Sequence, residues 1–358
     1  MHENKKVFRP NFLITRIGET AVQLGLFARL QELGWLEPTR GIVLAPQQYV
    51  VNEYLLDYFT PWIELERQRD PVHIPSYDGT SAQLANGSTV GYDRAIVAVN
   101  KVWEEQGRPP LLKLKDAHRE AGEKGLEMLG LPRDAWFVAL HAREGGYVRA
   151  QGHVSDDHND YRNVDIDMFT SAVQSIVDAG GWVIRLGDPT MKPMKPIEGV
   201  IDYAHHNLRN QWFDLYLMAA ARFMLATTSG PVTVAPLFGV PVAVSNYIPF
   251  FERPTSGRDL FISKIYLRDG KPVPFEELMR PPFRSHDPVT LPLQENNPDE
   301  IRELALEMMA NLDGNADYTE DDEALQSRIS GLSEEFEPYG VASRMGRDFL
   351  RRHRDLLV

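Results

Sequence analysis

Five short, almost uniformly apolar runs recur between residues 137 and 245: FVAL (137–140), WVIRL (182–186), VIDY (200–203), FMLA (223–226) and VPVAVS (240–245). Each is too short for a buried helix and shows no polar alternation, so each reads as a strand covered on both faces. The intervening stretches carry helical spacing. After Asp165 the apolar positions are Ile166, Phe169, Ala172, Val173, Ile176 and Val177, and residues 211–222 are apolar nearly all round. Strand and helix alternating through short turns means a parallel sheet in an α/β fold. Most of these runs end in polar residues, so their C-terminal ends share one rim, where open α/β sheets bind ligands.

That rim is densest after the first run. His141, Arg143 and Glu144 follow the strand, then Gly145, Gly146 and Tyr147, and the polar segment closes on Asp160, Tyr161, Arg162 and Asn163. An arginine fork suits a phosphate, and glycine lets the backbone approach it closely. After the fourth run comes Thr227-Thr228-Ser229-Gly230-Pro231, a small-residue turn opening a short helix. Hydroxyls and free N–H groups at a helix start favour an anion. Simple N-capping by Thr228 or Ser229 is the alternative. Together with Arg143 and the two glycines, the turn reads better as a phosphate site, although no Gly-Lys-Ser/Thr of a Walker loop is present.

The N-terminal part predicts a strand over residues 12–17 (FLITRI), Gly18, a helix over about 19–33 and a second strand over 41–45. This is a Rossmann-like half without a full G-x-G-x-x-G. Arg16, Gly18 and Glu19 sit at the strand–helix turn and point at any cleft; a first-turn acid favoured by the helix dipole is the plainer reading of Glu19. Residues 46–128 predict a helix over 50–59, a short strand over 72–74, loop over 78–91, a strand leading into a helix over 92–103, and a helix over 117–129. A last amphipathic helix is expected over 339–357. The expected units are 1–130, 131–338 and a C-terminal helix, 339–358, that would cross back to the first.

Composition narrows the class. At 358 residues two domains are expected, and a net charge of -13 argues against a general nucleic-acid binder. There is no cysteine, so neither disulfides nor thiolate zinc sites arise. No apolar run reaches the roughly 18 residues that span a bilayer, and the first residues lack a signal-peptide core. A cytoplasmic enzyme is the expectation. Other charged clusters carry less. Asp165-Ile166-Asp167 is better read as a helix cap than as a metal-binding D-x-D. His153, Asp156, Asp157, His158 and Asp160 read as a solvated loop, and no metal site is assigned.

The set H-A-R-E-G-G-Y, Y-R-N-x-D-I, G-G-W-V-I-R-L-G-D-P, H-x-N-x-x-x-x-W-x-D and T-S-G…L-F-G-V-P-V-A resembles a bacterial glycosyltransferase family distantly similar to fucosyltransferase-like GT-B enzymes. The match spans about 135 to 250 and extends more weakly to the R-I-G turn. The resemblance implies two Rossmann-like domains facing across a cleft, with a nucleotide-sugar mainly on the second. It implies that Arg143 neutralises the leaving diphosphate, that His141 supports it, and that Thr228, Ser229 and Gly230 hold phosphate. Arg185, Asp188, His206, Asn207 and Asp214 would serve the rest of the donor, Tyr147, Tyr161, Arg162 and Asn163 would flank the sugar, and Arg16 and Gly18 would lie on the acceptor side. Glu144 stands where several fucosyltransferases carry a second basic residue. Glu19 stands where this family reads R-I-G-H.

The implied reaction is a metal-independent, inverting transfer from a nucleotide-diphosphate sugar to a hydroxyl, with a GDP-sugar favoured and a UDP-sugar next. No cofactor is called for, and a homodimer is left open. Glu144, Asp160 and Glu19 are the candidate bases, in that order. A nucleotide-sugar epimerase or hydrolase on the same scaffold, and a non-catalytic nucleotide-sugar-binding protein, are the alternatives.

Overall fold

The computed structural model describes residues 5–8, 14–36, 40–67, 81–83, 89–146, 156–250, 254, 256–283, 291–336 and 343–357. The first unit is built on β1 (Lys5–Phe8), α1 (Ile17–Glu32), β2 (Arg40–Leu44), α2 (Glu53–Tyr58) and β3 (Ile63–Glu66). The three strands pair in parallel in the order β1-β2-β3. A small antiparallel pair, β4 (Ser81–Gln83) with β5 (Thr89–Gly91), leads into α3 (Tyr92–Glu105), and α4 (Asp116–Met128) follows. Leu26 and Leu30 of α1 meet Ala95 and Val99 of α3 in a small apolar cluster.

The second unit carries β6 (Phe137–His141), α5 (Thr170–Asp178), β7 (Trp182–Arg185), β8 (Val200–Ile201), α6 (Gln211–Ala220), β9 (Phe223–Thr227), β10 (Val242–Tyr247) and β11 (Leu260–Ser263). A side hairpin of β12 (Ile265–Arg268) and β13 (Lys271–Pro272), with β14 (Leu293–Gln294), precedes α7 (Pro298–Leu312), α8 (Glu320–Phe336), β15 (Arg344–Met345) and α9 (Arg347–Arg352). Every residue of β6, β9, β10 and β11 is buried, as strands covered on both faces require. The main sheet runs β15-β11-β10-β9-β6-β7-β8, all parallel. The chain thus winds outward from β6 through β7 to β8, returns to β9 on the other side of β6, and winds outward again. This is the doubly wound order, and its direction switches between β6 and β9. The expected class, α/β with a large parallel sheet, is the one found.

Several expectations need correction. The strand expected over 12–17 is not one where the chain is described. Ile14 and Thr15 form a turn and Ile17 opens α1, while the strand lies earlier, at Lys5–Phe8. Ile14 is fully buried and its carbonyl accepts from Val51 N at 2.7 Å, so this residue packs from a turn rather than from a ladder. Residues 92–103 are helical throughout, and the short strand expected over 72–74 lies outside the described residues.

The long terminal helix is instead a two-residue strand, the short α9 and a 3₁₀ turn. Its ion pairs run to the neighbouring helices: Arg351 with Asp322, Arg352 with Glu303, and Arg354 with Asp321. Phe349 stacks on Phe275. The tail therefore docks on its own unit in place of the expected crossing.

The two units meet at several points. Asn52 Nδ2 donates to the Gln211 carbonyl at 2.9 Å, Leu112 N to the Leu237 carbonyl at 2.8 Å, and Gly257 N to Glu104 Oε2 at 3.0 Å. One approach is backbone on backbone. A Cβ built on Gly18 would lie 2.8 Å from Gly230 Cα, and one built on Gly230 would lie 3.0 Å from Gly18 N. The start of α1 and the T-S-G turn are thus in van der Waals contact across 212 residues of sequence.

Candidate functional site

Pairing of β6 with β9 brings the two polar segments together at the switch point. Arg143 N donates to Thr227 Oγ1 at 2.9 Å, which ties the loop after β6 to the end of β9. Ser229 Oγ donates to the Thr227 carbonyl at 3.0 Å and lies 3.1 Å from His141 Nδ1. One hydroxyl has one proton. With that proton on Thr227, the bond to His141 requires a protonated Nδ1, which leaves Nε2 as an acceptor. His141 is 7% exposed, and its pKa falls to about 4, first through burial and then through the cations Arg185 and Arg143. It is therefore a neutral, weakly basic imidazole that orients Ser229. Thr228 Oγ1 accepts from Ile248 N at 3.0 Å. Neither Thr228 nor Ser229 caps the following short helix among the described residues, so the plain capping alternative is not what these hydroxyls do.

The Arg143 side chain is held rather than extended. Its guanidinium donates to the Asn159 carbonyl at 2.9 Å and to Asn163 Oδ1. Asn163 Nδ2 in turn donates to Asp160 Oδ1 at 2.7 Å. The 3₁₀ segment Asp156–Arg162 therefore clasps the arginine. Arg162 Nε reaches the Tyr161 hydroxyl at 3.3 Å, and its guanidinium sits 5.5 Å from the Tyr161 ring centre. Gly145 is buried, and Gly146 lies against Thr190: a Cβ there would come 2.5 Å from Thr190 Oγ1. Tyr147, expected beside the sugar, lies outside the described residues.

The β7–β8 side of the rim has a different character. Arg185 is 0% exposed. Its Nη2 donates to Glu144 Oε1 and its Nη1 to Asp202 Oδ1, each at 3.0 Å. Glu144 Oε2 accepts from Lys192 N at 2.8 Å. Two expectations change here. Arg185 is a buried strut with no face for a donor. Glu144 spends both oxygens holding that strut and the Lys192 backbone, which leaves it poorly placed as a base. Asp188 Oδ1 accepts from Thr190 N at 2.8 Å and Thr190 Oγ1 at 2.6 Å and shapes the turn after β7.

His206, Asn207 and Asp214 lie beyond β8, two strands from β6 in the sheet order, or roughly 10 Å at ordinary strand spacing. His206 Nδ1 accepts from Leu208 N at 3.2 Å. Burial pushes the Asp214 carboxyl up to about 6, against Arg209 and Tyr203. Its Oδ1 is buried without a hydrogen bond among the described residues. Near the R-I-G turn, Arg16 is exposed and Glu19 Oε2 accepts from Gln23 Nε2 at 3.0 Å in the first turn of α1.

Three contributors were not among the expected site residues. Thr227, named only as part of the turn, ends a buried strand and joins the two loops, and Asp202 follows β8 and pairs with Arg185. Lys264 follows β11 and donates to the Asn163 carbonyl at 3.2 Å. Thr227 and Asp202 carried the same signal, a polar residue directly after apolar ones, while Lys264 stands one residue further on, behind Ser263. Asp165 caps as expected, Oδ1 accepting from Asp167 N at 2.9 Å, while both aspartates bind Lys192. Among the described residues, no three His, Asp or Glu side chains converge as a metal site would need.

These features define an α/β protein with a doubly wound sheet and two polar loops converging at its switch point. No family model matches the sequence, and no curated protein matches it. Solved structures do. The ADP-heptose lipopolysaccharide heptosyltransferase II of E. coli is 12% identical, with 86% of this chain and 98% of that one covered, at a TM-score of 0.46.

The iron-containing, dodecameric glycosyltransferase TibC of enterotoxigenic E. coli is also 12% identical, with 87% and 78% covered and a TM-score of 0.45. That enzyme has also been solved with ADP-D-β-D-heptose. A family 9 glycosyl transferase from Veillonella parvula is 15% identical at a TM-score of 0.28; 62% of this chain is covered, and the chain spans 61% of that protein.

Proposed function

We propose that this chain is a metal-independent glycosyltransferase of GT-B type. It would take a nucleotide-diphosphate sugar at the β6–β9 switch point and pass the sugar to a hydroxyl. The observation that carries the reading is the convergence there of the Arg143 loop with the T-S-G turn, through Arg143 N–Thr227 and His141–Ser229, with Gly18 of the first unit against Gly230. A diphosphate there would meet hydroxyl and backbone donors from the turn and a guanidinium already clasped in place. Such groups stabilise charge as it develops on the leaving phosphate, at little reorganisation cost.

The reaction would be a direct displacement at the anomeric carbon, with inversion. Among the candidate bases the geometry reverses the expected order. Glu144 is committed to Arg185, Asp160 to Asn163, and Glu19 stands one residue from the Gly18–Gly230 contact. Glu19 becomes the preferred base. The fucosyltransferase-like resemblance favours a GDP-sugar, then a UDP-sugar; ADP, the nucleotide of the heptosyltransferase complex, joins the panel.

The test is release of nucleoside diphosphate from ADP-, GDP-, UDP- and dTDP-sugars, with and without a set of hydroxyl acceptors. Release that needs an acceptor, and is lost in Arg143→Ala, supports the reading. Release without an acceptor moves the assignment to a hydrolase. A folded protein that releases nothing contradicts both.

A further inference from the structure

Lys264 is a buried ammonium that the proposed reaction leaves unused. It follows β11, whose neighbour β10 separates it from the switch-point pair β9 and β6. The residue is 2% exposed. Its Nζ donates to the Asn163 carbonyl and to Glu295 Oε1, each at 3.2 Å. An ammonium out of water is costly unless paired, and Glu295 supplies the pair. The Glu295 pairing explains how the charge is tolerated but not why it reaches Asn163.

Asn163 is a junction. Its backbone N–H donates to the Asp160 carbonyl at 2.9 Å and its Nδ2 to Asp160 Oδ1 at 2.7 Å. Its Oδ1 accepts from Arg143, and its carbonyl accepts from Lys264. The next residue, Val164, donates its N–H back to the Arg143 carbonyl at 3.1 Å. Three polar groups hold Asn163 within its own side of the rim. The fourth reaches across to β11, where the backbone is itself pinned. Asn296 and Asn246, both buried, exchange hydrogen bonds, and Asn296 Nδ2 donates to the Ser263 carbonyl at 2.9 Å.

We propose that Lys264 is a positioning residue for Arg143, fixing Asn163 from the far side of the rim so that the guanidinium keeps one pose. The effect on nucleotide affinity rests on the function proposed above; the effect on the Asn163 segment does not. The role belongs to the ammonium's bond rather than to its charge alone. Lys264 should therefore act on ligand only through Arg143.

The test uses Lys264→Met in the full chain, with its melting temperature as the control for folding. In the ligand-free protein, amide exchange at Asn163 and Val164 should quicken about tenfold, as expected for loss of one charged hydrogen bond. A double-mutant cycle against ADP, GDP and UDP should show roughly tenfold weaker binding for Lys264→Met in wild type and no further loss in Arg143→Ala. Unchanged exchange in a folded variant overturns the proposal, as does an equal fold-loss in both backgrounds. If wild type binds no nucleotide the functional reading fails, and the exchange arm still decides the positioning claim. Should the methionine variant not fold, Lys264→Met combined with Glu295→Gln, which leaves no stranded carboxylate, replaces it in both arms, with the same criteria.

Discussion

The two halves of the rim have similar residue types and opposite uses. On the β7–β8 half, Arg185 and Lys192 are cancelled at close range: Arg185 by Glu144 and Asp202, and Lys192 by Asp165 and Asp167. On the β6–β9 half, the bonds named are from hydroxyls, amides and a neutral imidazole, and Arg143 is tied to the amide oxygens of Asn159 and Asn163. A guanidinium buried between two carboxylates, as Arg185 is, has neither an open face nor net charge left for an incoming anion. Charge on a rim therefore does not by itself mark the ligand's place. What the charge is paired with does.

The largest effect should come from breaking the closed half. Arg185→Met strands Glu144 and Asp202 and should cost about 3–5 kcal/mol in denaturant unfolding. A loss below about 1 kcal/mol would mean that the strut is dispensable. Gly18→Ala comes next. Its methyl would press on the Gly230 backbone, which cannot swing aside as a side chain would. A cost of about 1–3 kcal/mol is expected, together with a fall in turnover larger than the stability change explains. Full activity in Gly18→Ala would remove the first unit from the site.

Ser229→Ala removes only the hydroxyl that His141 orients, and should cost about 1 kcal/mol of ligand affinity, a factor of five to ten. An equal effect on apo-protein stability instead would make that bond structural.

A control lies on the other side of the sheet, next to β11, where no effect on the ligand is expected. Asp259 is buried just before β11, its Oδ1 accepts from Val242 N at 2.9 Å, and burial pushes its carboxyl up to about 7. A raised folded-state pKa means that the folded chain holds the proton longer than the unfolded one. The stability from that group is complete below about 4, the unfolded carboxyl value, and is lost as pH rises through about 7. Asp259→Asn should melt above wild type at pH 8, and the gap should narrow toward acid and close only below about pH 4, without altering ligand affinity. A gap that grows toward acid would reverse the sign and refute the burial account.

The sheet of the second unit was legible because its inner strands are buried on both faces and so read as unbroken apolar runs. β6 and β9 each run one residue beyond the expected span. In the first unit the same signal misled. The FLITRI run is apolar because Ile14 packs in a turn, while the edge strand β3, IELE, hides behind its glutamates. At the site, Arg143 and the T-S-G turn stood out by composition. The Arg185–Glu144 and Arg185–Asp202 pairings did not, since they join residues 41 and 17 apart. Nothing local tells a carboxylate that will face a ligand from one that will face a buried arginine. Lys264 was hidden for the same reason, its partner being 101 residues away.

The most direct measurement is a calorimetric titration of wild type and Arg143→Ala with ADP, GDP, UDP and dTDP and the matching monophosphates. Wild type should bind one diphosphate more tightly than its monophosphate. Arg143→Ala should lose at least about tenfold for the diphosphate, equivalent to roughly 1.4 kcal/mol, and much less for the monophosphate. Equal affinity in both proteins, or no binding to a folded wild type, would contradict the switch point as a nucleotide-diphosphate site.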